Sequence, residues 1–385
     1  MNINLLKKVP LALAALATSS AAYAAMDMDT RVSQLEQQMN QVRTETAMGT
    51  YGATTAPARP AVEGHGFKFA FDILYWHTRM GGTEFAYTND SDCSTFPITG
   101  ELAEISLDWD WGFRVGLGYN FEHDDWDIMA TYTLFNTNGG NSEGSGANTS
   151  SVVGNRGWSL TPSGGNEGAG NEFVCADEGK AKLKLDLDVI DLELGRNYFV
   201  SRDLSFRPHV GLETAWIKAE QNTEFTGGTP TSPARSFALG TNTFHVDDTN
   251  KFWGIGPRTG FNSNWYLGNG FSIFGDADLA LHWGRFKVSH QESLSGDDNA
   301  NNTINISANM HRFVPKAGLT LGLRYGAYVF KQEQYISVAL GYETQYWWRV
   351  NQSLIVDDST IAPQFHRASE DVGYQGVTFK FAWEF

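Results

Sequence analysis

The segment Val377-Thr-Phe-Lys-Phe-Ala-Trp-Glu-Phe385 sets Val377, Phe379, Phe381, Trp383 and Phe385 at every second position. A strand points successive side chains to opposite faces, so one face here is wholly apolar. The other face carries Thr378, Lys380, Ala382 and Glu384. No uncharged apolar run in the chain reaches the roughly 20 residues that a membrane-spanning helix needs. Only helices and closed barrels satisfy every backbone polar group in lipid. A strand whose outer face is all aromatic and aliphatic therefore predicts a closed antiparallel barrel in a bacterial outer membrane. Its expected partners are outer-membrane lipid and the barrel assembly machinery, with Phe379, Phe381, Trp383 and Phe385 as the assembly signal.

The first residues carry Lys7 and Lys8, then the apolar run Val9 to Ala17, then Ala22-Tyr-Ala24. That order of charge, apolar core and small residues reads as an export signal over 1–24. Residues 25–48 follow as a polar segment in which Met28, Val32, Leu35, Met39 and Val42 keep heptad spacing. A two-position stripe suits a coiled coil, here expected in the periplasm and favouring a homotrimer. A frayed leader without a partner is the other reading, because a lone helix this short is marginal in water. Residues 49–66, with Pro57 and Pro60, read as a flexible linker, and 67–385 as the barrel.

The formal charge is -16, which becomes -18 when Lys7 and Lys8 leave with the signal. Nucleic acid calls for a basic patch, so it is not an expected partner. Cys93 and Cys175 both lie in polar stretches. In an oxidising envelope compartment they are expected to form one disulfide between two outer loops.

Period-two alternation begins at Phe67 and predicts ten strands, at 67–79, 104–121, 124–136, 180–199, 203–220, 249–265, 270–289, 308–326, 333–350 and 371–385. Twelve is the fallback count. Short connections alternate with long ones, the signature of an up-and-down barrel with periplasmic turns and outer loops. In the second strand Leu107, Trp109, Trp111, Phe113, Val115, Leu117, Tyr119 and Phe121 share one face. Slipping it by one residue would put Arg114 into lipid, at about 2–4 kcal/mol at mid-depth. In the fourth, Leu183, Leu185, Leu187 and Val189 keep one phase and Ile190, Leu192 and Leu194 the other, which predicts a bulge near 189–190. Pro208, Pro257 and Pro315 each remove a ladder donor and predict local distortion.

The polar face supplies the expected pore lining: Asp108, Asp110, Arg114, Arg207, Glu213, Arg258, Asp276, Asp278, Lys316 and Arg324. Lys182, Lys184, Asp186 and Asp188 fall on the same predicted face, as do Asp72 and Glu343. Glycines on that face, among them Gly112, Gly116, Gly254 and Gly322, leave room and favour a narrow hydrated pore. Candidate acid–base groups are His245 with Asp247 and Asp248, and the pair Asp276 and Asp278. His245 reads more simply as a solvated loop residue, and the two aspartates as pore-lining charges. No nucleophile elbow, phosphate loop or zinc spacing is present, so neither catalysis nor a cofactor is expected. Gly296-Asp-Asp-Asn-Ala-Asn-Asn302 is rich in oxygen ligands but lacks the ordered spacing of a Ca²⁺ loop, so no metal is expected.

Several segments together resemble the pore-forming, major outer membrane protein-like family of Legionella and related intracellular bacteria. They are Ala22-Tyr-Ala24, the leader Arg31-Val-Ser-Gln-Leu-Glu-Gln-Gln-Met39, and the opening strand Gly66-Phe-Lys-Phe-Ala-Phe-Asp-Ile-Leu-Tyr-Trp76. Trp111-Gly-Phe-Arg-Val-Gly-Leu-Gly-Tyr119 and the aromatic terminus complete the likeness, which is looser in the long loops. The resemblance implies an abundant outer-membrane porin-like protein and supplies no catalytic residues. Passive diffusion of small hydrophilic solutes and ions is the expected function. The alternatives are a closed barrel that binds ligands or surfaces through its outer loops and, behind it, a ten-stranded outer-membrane protease.

Overall fold

The computed structural model describes residues 66–89, 99–121, 126–144, 152–154, 173–201, 203–228, 236–238, 241–295, 302–329, 334–357 and 364–385. The expected signal, coiled coil and nearly all of the linker lie outside the described residues, as do Cys93 and the acidic run 296–301. No helix occurs among the described residues, so none is long and apolar enough to cross a membrane.

Ten long strands form the barrel: β1 (Gly66–Met80), β2 (Trp109–Asn120), β3 (Trp126–Gly144), β4 (Glu178–Arg196), β5 (Leu204–Thr226), β6 (Thr243–Gly268), β7 (Phe271–Ser295), β8 (Asn302–Val329), β9 (Gln334–Asn351) and β10 (Glu370–Glu384). Each pairs antiparallel with its sequence neighbours, and β10 pairs with β1 from Lys68↔Glu384 to Met80↔Val372. The Phe67 amide donates to the Phe385 carbonyl at 2.7 Å, and the Phe385 amide returns the bond at 3.0 Å. The count is ten, and the fallback of twelve does not hold.

Each expected proline distortion has a counterpart in the ladders. Pairing between β4 and β5 runs down to His209↔Gly195 and stops at Pro208. The β8–β9 ladder begins at Lys316↔Trp347, next to Pro315. The β6–β7 ladder skips Pro257 and resumes in the same register.

The bulge expected near Val189–Ile190 is absent. Register with β3 and β5 runs unbroken from Glu178 to Gly195. What changes there is the surroundings. Below the break, Ile190, Leu192 and Leu194 face outward and are exposed. Above it, Leu183, Leu185 and Leu187 point into the barrel and are fully buried, while Lys182 and Lys184 face outward. The outer part of the barrel is thus a water-surrounded dome with an apolar interior. The lower part is the reverse, apolar outside toward lipid.

The lipid belt is bounded by aromatic rows. Phe67, Tyr119, Phe121, Trp265, Phe271 and Tyr325 ring the short-turn end, and Trp109, Trp111, Trp253, Trp283, Phe313 and Trp348 the upper edge. At about 3.4 Å per residue and a tilt of about 40°, Phe271 to Trp283 spans roughly 30 Å of bilayer. Above the belt, outer connections fold over the dome. Five short strands (Ala86–Thr88, Leu102–Ala103, Val152–Gly154, Phe173–Ala176 and Ser236–Ala238) make a small sheet whose Ala86 and Val152, with Phe85 just before it, join the dome core.

Candidate functional site

Two zones fill the bore. The upper zone is built from inward apolar side chains: Trp76, Phe135, Leu185, Leu187, Ile217, Phe252, Phe286, Val314, Trp347 and Tyr374, all essentially inaccessible. Lumen-facing glycines make this fit. A Cβ on Gly254 or Gly284 would come within 2.5 or 2.2 Å of the Phe252 ring. Gly322 and Gly341 give the Phe274 ring its place in the same way. These glycines do leave room, as expected, but aromatic rings occupy it rather than water. A second plugging element comes from the end of β9. Arg349 takes a left-handed φ of 57°, after which Val350, Asn351 and Gln352 turn inward and are buried. The Asn250 amide donates to the Val350 carbonyl at 2.6 Å from the β6 wall, and Asn351 donates to the Gly81 carbonyl at 2.8 Å.

The lower zone is a cavity of about 580 Å³. Its walls run from the short-turn end, at Asn197, Tyr266, Tyr335 and Glu384, up to a charged layer at mid-barrel. The cations are Lys68, Arg114, Arg207, Arg258, Lys316, Arg324 and Lys380, each countered by nearby carboxylates or amides.

Two ion networks make up that layer. In the first, Arg114 on β2 holds Glu343 on β9 at 2.8 Å and Asp72 on β1 at 3.1 Å. Trp76 Nε1 donates to Thr378 at 3.1 Å, and Thr378 donates to Glu343 at 2.9 Å, which ties the base of the apolar plug to the charges. Lys380 on β10 reaches across to Asp276 on β7 at 2.7 Å. In the second, Glu213 is fully buried between Lys316 at 2.8 Å, His282 at 3.1 Å and Arg258 at 3.3 Å. Arg258 also reaches Glu193 at 2.6 Å, and Arg207 bridges Glu193 and Asp127. Buried charges persist only when paired, and breaking one such pair costs about 3–5 kcal/mol.

Against the expected pore lining, Arg114, Arg207, Arg258, Asp276, Asp278, Lys316 and Arg324 line this cavity, and Glu213 lies buried behind Lys316 and Arg258. Asp108 and Asp110 are not among its walls. Asp108 is exposed at the outer end of the barrel, and Asp110 accepts from the Asn138 amide there. Lys182, Lys184, Asp186 and Asp188 are corrected to the outer surface of the dome. Sequence reasoning missed Asp127, Asp191 and Glu193, which share the face of Gly195 below the phase change and carry much of the second network.

The acid–base candidates are not assembled. On β6, His245 and Asp247 share the outward face and Asp248 points inward to His290. Asp276 and Asp278 each bind a lysine in the lumen. Among the described residues no cluster of His, Cys, Asp or Glu is arranged to hold a metal ion. Cys175 is buried and is not a free thiol, and its expected partner Cys93 lies outside the described residues. At the expected assembly signal, Phe379 and Phe385 are exposed, and Phe381 and Trp383 half-buried, along the β10–β1 seam.

No curated protein matches this sequence. Among solved structures, the outer membrane protease OmpT from Escherichia coli is 10% identical, with 86% of this chain and 99% of that one covered and a TM-score of 0.37. The toluene transporter TodX from P. putida is 11% identical over 84% of this chain and 90% of its own, with a TM-score of 0.30. A FadL homologue from Pseudomonas aeruginosa is 7% identical with the same coverages and a TM-score of 0.28. At these scores the likenesses carry no argument about function. The barrel, its lipid belt and a sequence match over residues 59–385 agree, and the chain belongs to the family described as Legionella pneumophila major outer membrane protein precursor, a family of bacterial outer-membrane proteins.

Proposed function

We propose that this barrel is a narrow, normally closed channel for small hydrophilic solutes and ions, opened by displacement of the apolar plug in its dome. The observation that carries the reading is the charged cavity of about 580 Å³ reaching the short-turn end. Barrels of about eight strands are filled by side chains and those of sixteen leave a channel, so a ten-stranded wall has width for single solutes. Fixed charges of both signs suit passage of small polar molecules without strong ion selection. The dry upper bore accounts for closure. No catalytic role is proposed.

Planar-bilayer recording on refolded protein tests this. Trp347→Ala and Phe252→Ala each remove a buried ring from the plug, and each is expected to raise the open fraction over a wild type that conducts in rare steps. Silence in all three proteins, with the barrels shown folded by their heat-shifted gel mobility, would discard the channel. A closed barrel that works through its outer surface would then stand in its place, and the dry dome is the feature favouring it. A homotrimer through residues 25–48 is part of the proposal. It fails if removing those residues leaves the detergent-solubilised mass per particle unchanged.

A further inference from the structure

The outward face of the dome is not evenly charged. Registers across β5, β6 and β7 place Lys218 opposite Lys251, and Lys251 opposite Lys287. One layer lower, Trp216 lies opposite Trp253, and Trp253 opposite Arg285. All of these side chains point away from the bore. Neighbouring strands are about 4.8 Å apart, so the three lysines form a row roughly 10 Å wide. Like charges directly opposite one another on a sheet are destabilising. Lys218 is partly offset by Glu220 at 2.6 Å. Among the described residues Lys251, Arg285 and Lys287 make no ion pair, and Arg285 contacts only the Asn309 amide oxygen, at 3.3 Å. At the same height the next strands carry Asp186, Asp188 and Asn136 outward, and the lysines higher on β4, Lys180 and Lys184, are paired with Glu178 and Asp186. In a chain of net charge -16, this concentration of unpaired cations asks for an external anion.

The height of the patch narrows the choice. Lys251 and Arg285 stand one outward position above Trp253 and Trp283, in the upper aromatic row. That row faces the acyl chains, so the next layer meets lipid head groups on the long-loop side of the membrane. We propose that Lys251, Arg285 and Lys287 form a binding site for the phosphate groups of a phosphorylated glycolipid in the outer leaflet. The exposed rings of Trp216, Trp253, Trp283 and Phe313 below would lie against its acyl chains. Planar Arg285 can take one phosphate oxygen pair bidentately while the two lysines act as point charges.

The test is binding of fluorescent bis-phosphorylated lipid A to the full folded chain in mixed detergent micelles, read by anisotropy. Dephosphorylated lipid A serves as the control. The triple variant Lys251→Gln, Arg285→Gln, Lys287→Gln should bind the phosphorylated probe about a hundred-fold more weakly, since each cation beside an anionic lipid surface is worth roughly a factor of five. Wild type should prefer the phosphorylated form by a similar factor. The triple variant's fold is checked by gel mobility, and Lys180→Gln, Lys184→Gln on the same dome should leave binding unchanged. Equal binding of both lipid forms, or of wild type and triple variant, overturns the proposal. Saturation of the site by inorganic phosphate alone at matching concentration would also overturn it, because the occupant would then be a free anion rather than a lipid.

Discussion

Leu187 and Ile190 lie three residues apart on one uninterrupted strand, yet Leu187 is wholly buried inside the barrel and Ile190 is 42% exposed on its outside. No bulge separates them. The change from lipid to water around the barrel, and from charge to hydrocarbon within it, happens between these two residues. The long strands β4 to β7, which run from the belt into the dome, therefore obey two opposite burial rules along their length.

Three substitutions on β4 report this directly. Leu192→Lys puts a cation into the lipid belt and is expected to cost about 2–4 kcal/mol. Lys184→Leu, on the wet face of the dome, should stay within about 0.5 kcal/mol of wild type. Leu185→Ala removes side-chain volume from the dome core and should cost about 2–5 kcal/mol. Urea unfolding in lipid vesicles ranks the three. A costly Lys184→Leu would mean that the dome's outer face is not in water.

The lumen network is expected to behave as a unit. Glu213→Gln removes the buried carboxylate that Lys316 and Arg258 share, leaving them Asp278 and Glu193, and should cost up to about 3–5 kcal/mol. Adding Lys316→Met should recover part of that loss. A double-mutant cycle on unfolding midpoints measures the coupling, and strict additivity would rule out the direct pair.

His290 lies in the dome, well above the aromatic row at Trp283. Its ring nitrogens meet Asp248 at 2.7 Å and Glu292 at 2.8 Å. Burial opposes its charge, but these two carboxylates outweigh burial and push its pKa up to about 9. Since the unfolded value is about 6.5, the stabilisation is fully present below that pH and lost as pH rises through about 9. Resistance of the dome to protease should accordingly fall across that window. In His290→Asn the profile should be flat there, and an unchanged slope would remove the assignment.

Cys175 and Cys93 are expected to form the one disulfide of the chain. Non-reducing gels should show a faster band than reducing ones, and Cys93→Ser should abolish the difference. A thiol-reactive label that enters Cys175 of unreduced protein would contradict the pairing.

Much of the barrel was legible because alternation and connection length carry the same message twice. The strands from Gly66 to Met80 and Trp109 to Asn120 keep one phase across the belt, so their facing was readable. The β4 segment Leu183–Leu187 was not, because alternation reports that one face is apolar without saying whether lipid or a core covers it. Glycine was ambiguous for a similar reason. Gly254 and Gly284 declare vacant volume, and only the fold reveals that Phe252 lies in it. Prolines 208, 257 and 315 were read correctly, since a missing amide donor has the same effect on any ladder. Asp127 went unread because its partner Arg207 is 80 residues away in sequence, and nothing local announces the bond.

The hydrogen bonds between Phe67 and Phe385 join residues at opposite ends of the barrel sequence. Contacts of such long separation carry the largest loop-closure entropy and form late. Until they form, β1 and β10 are two bare edges of an open sheet, each a template for pairing with another chain. The time between insertion and seam closure is therefore the interval in which this protein is most exposed to aggregation. Mutations at the seam should show in yield before they show in the stability of molecules that have already closed.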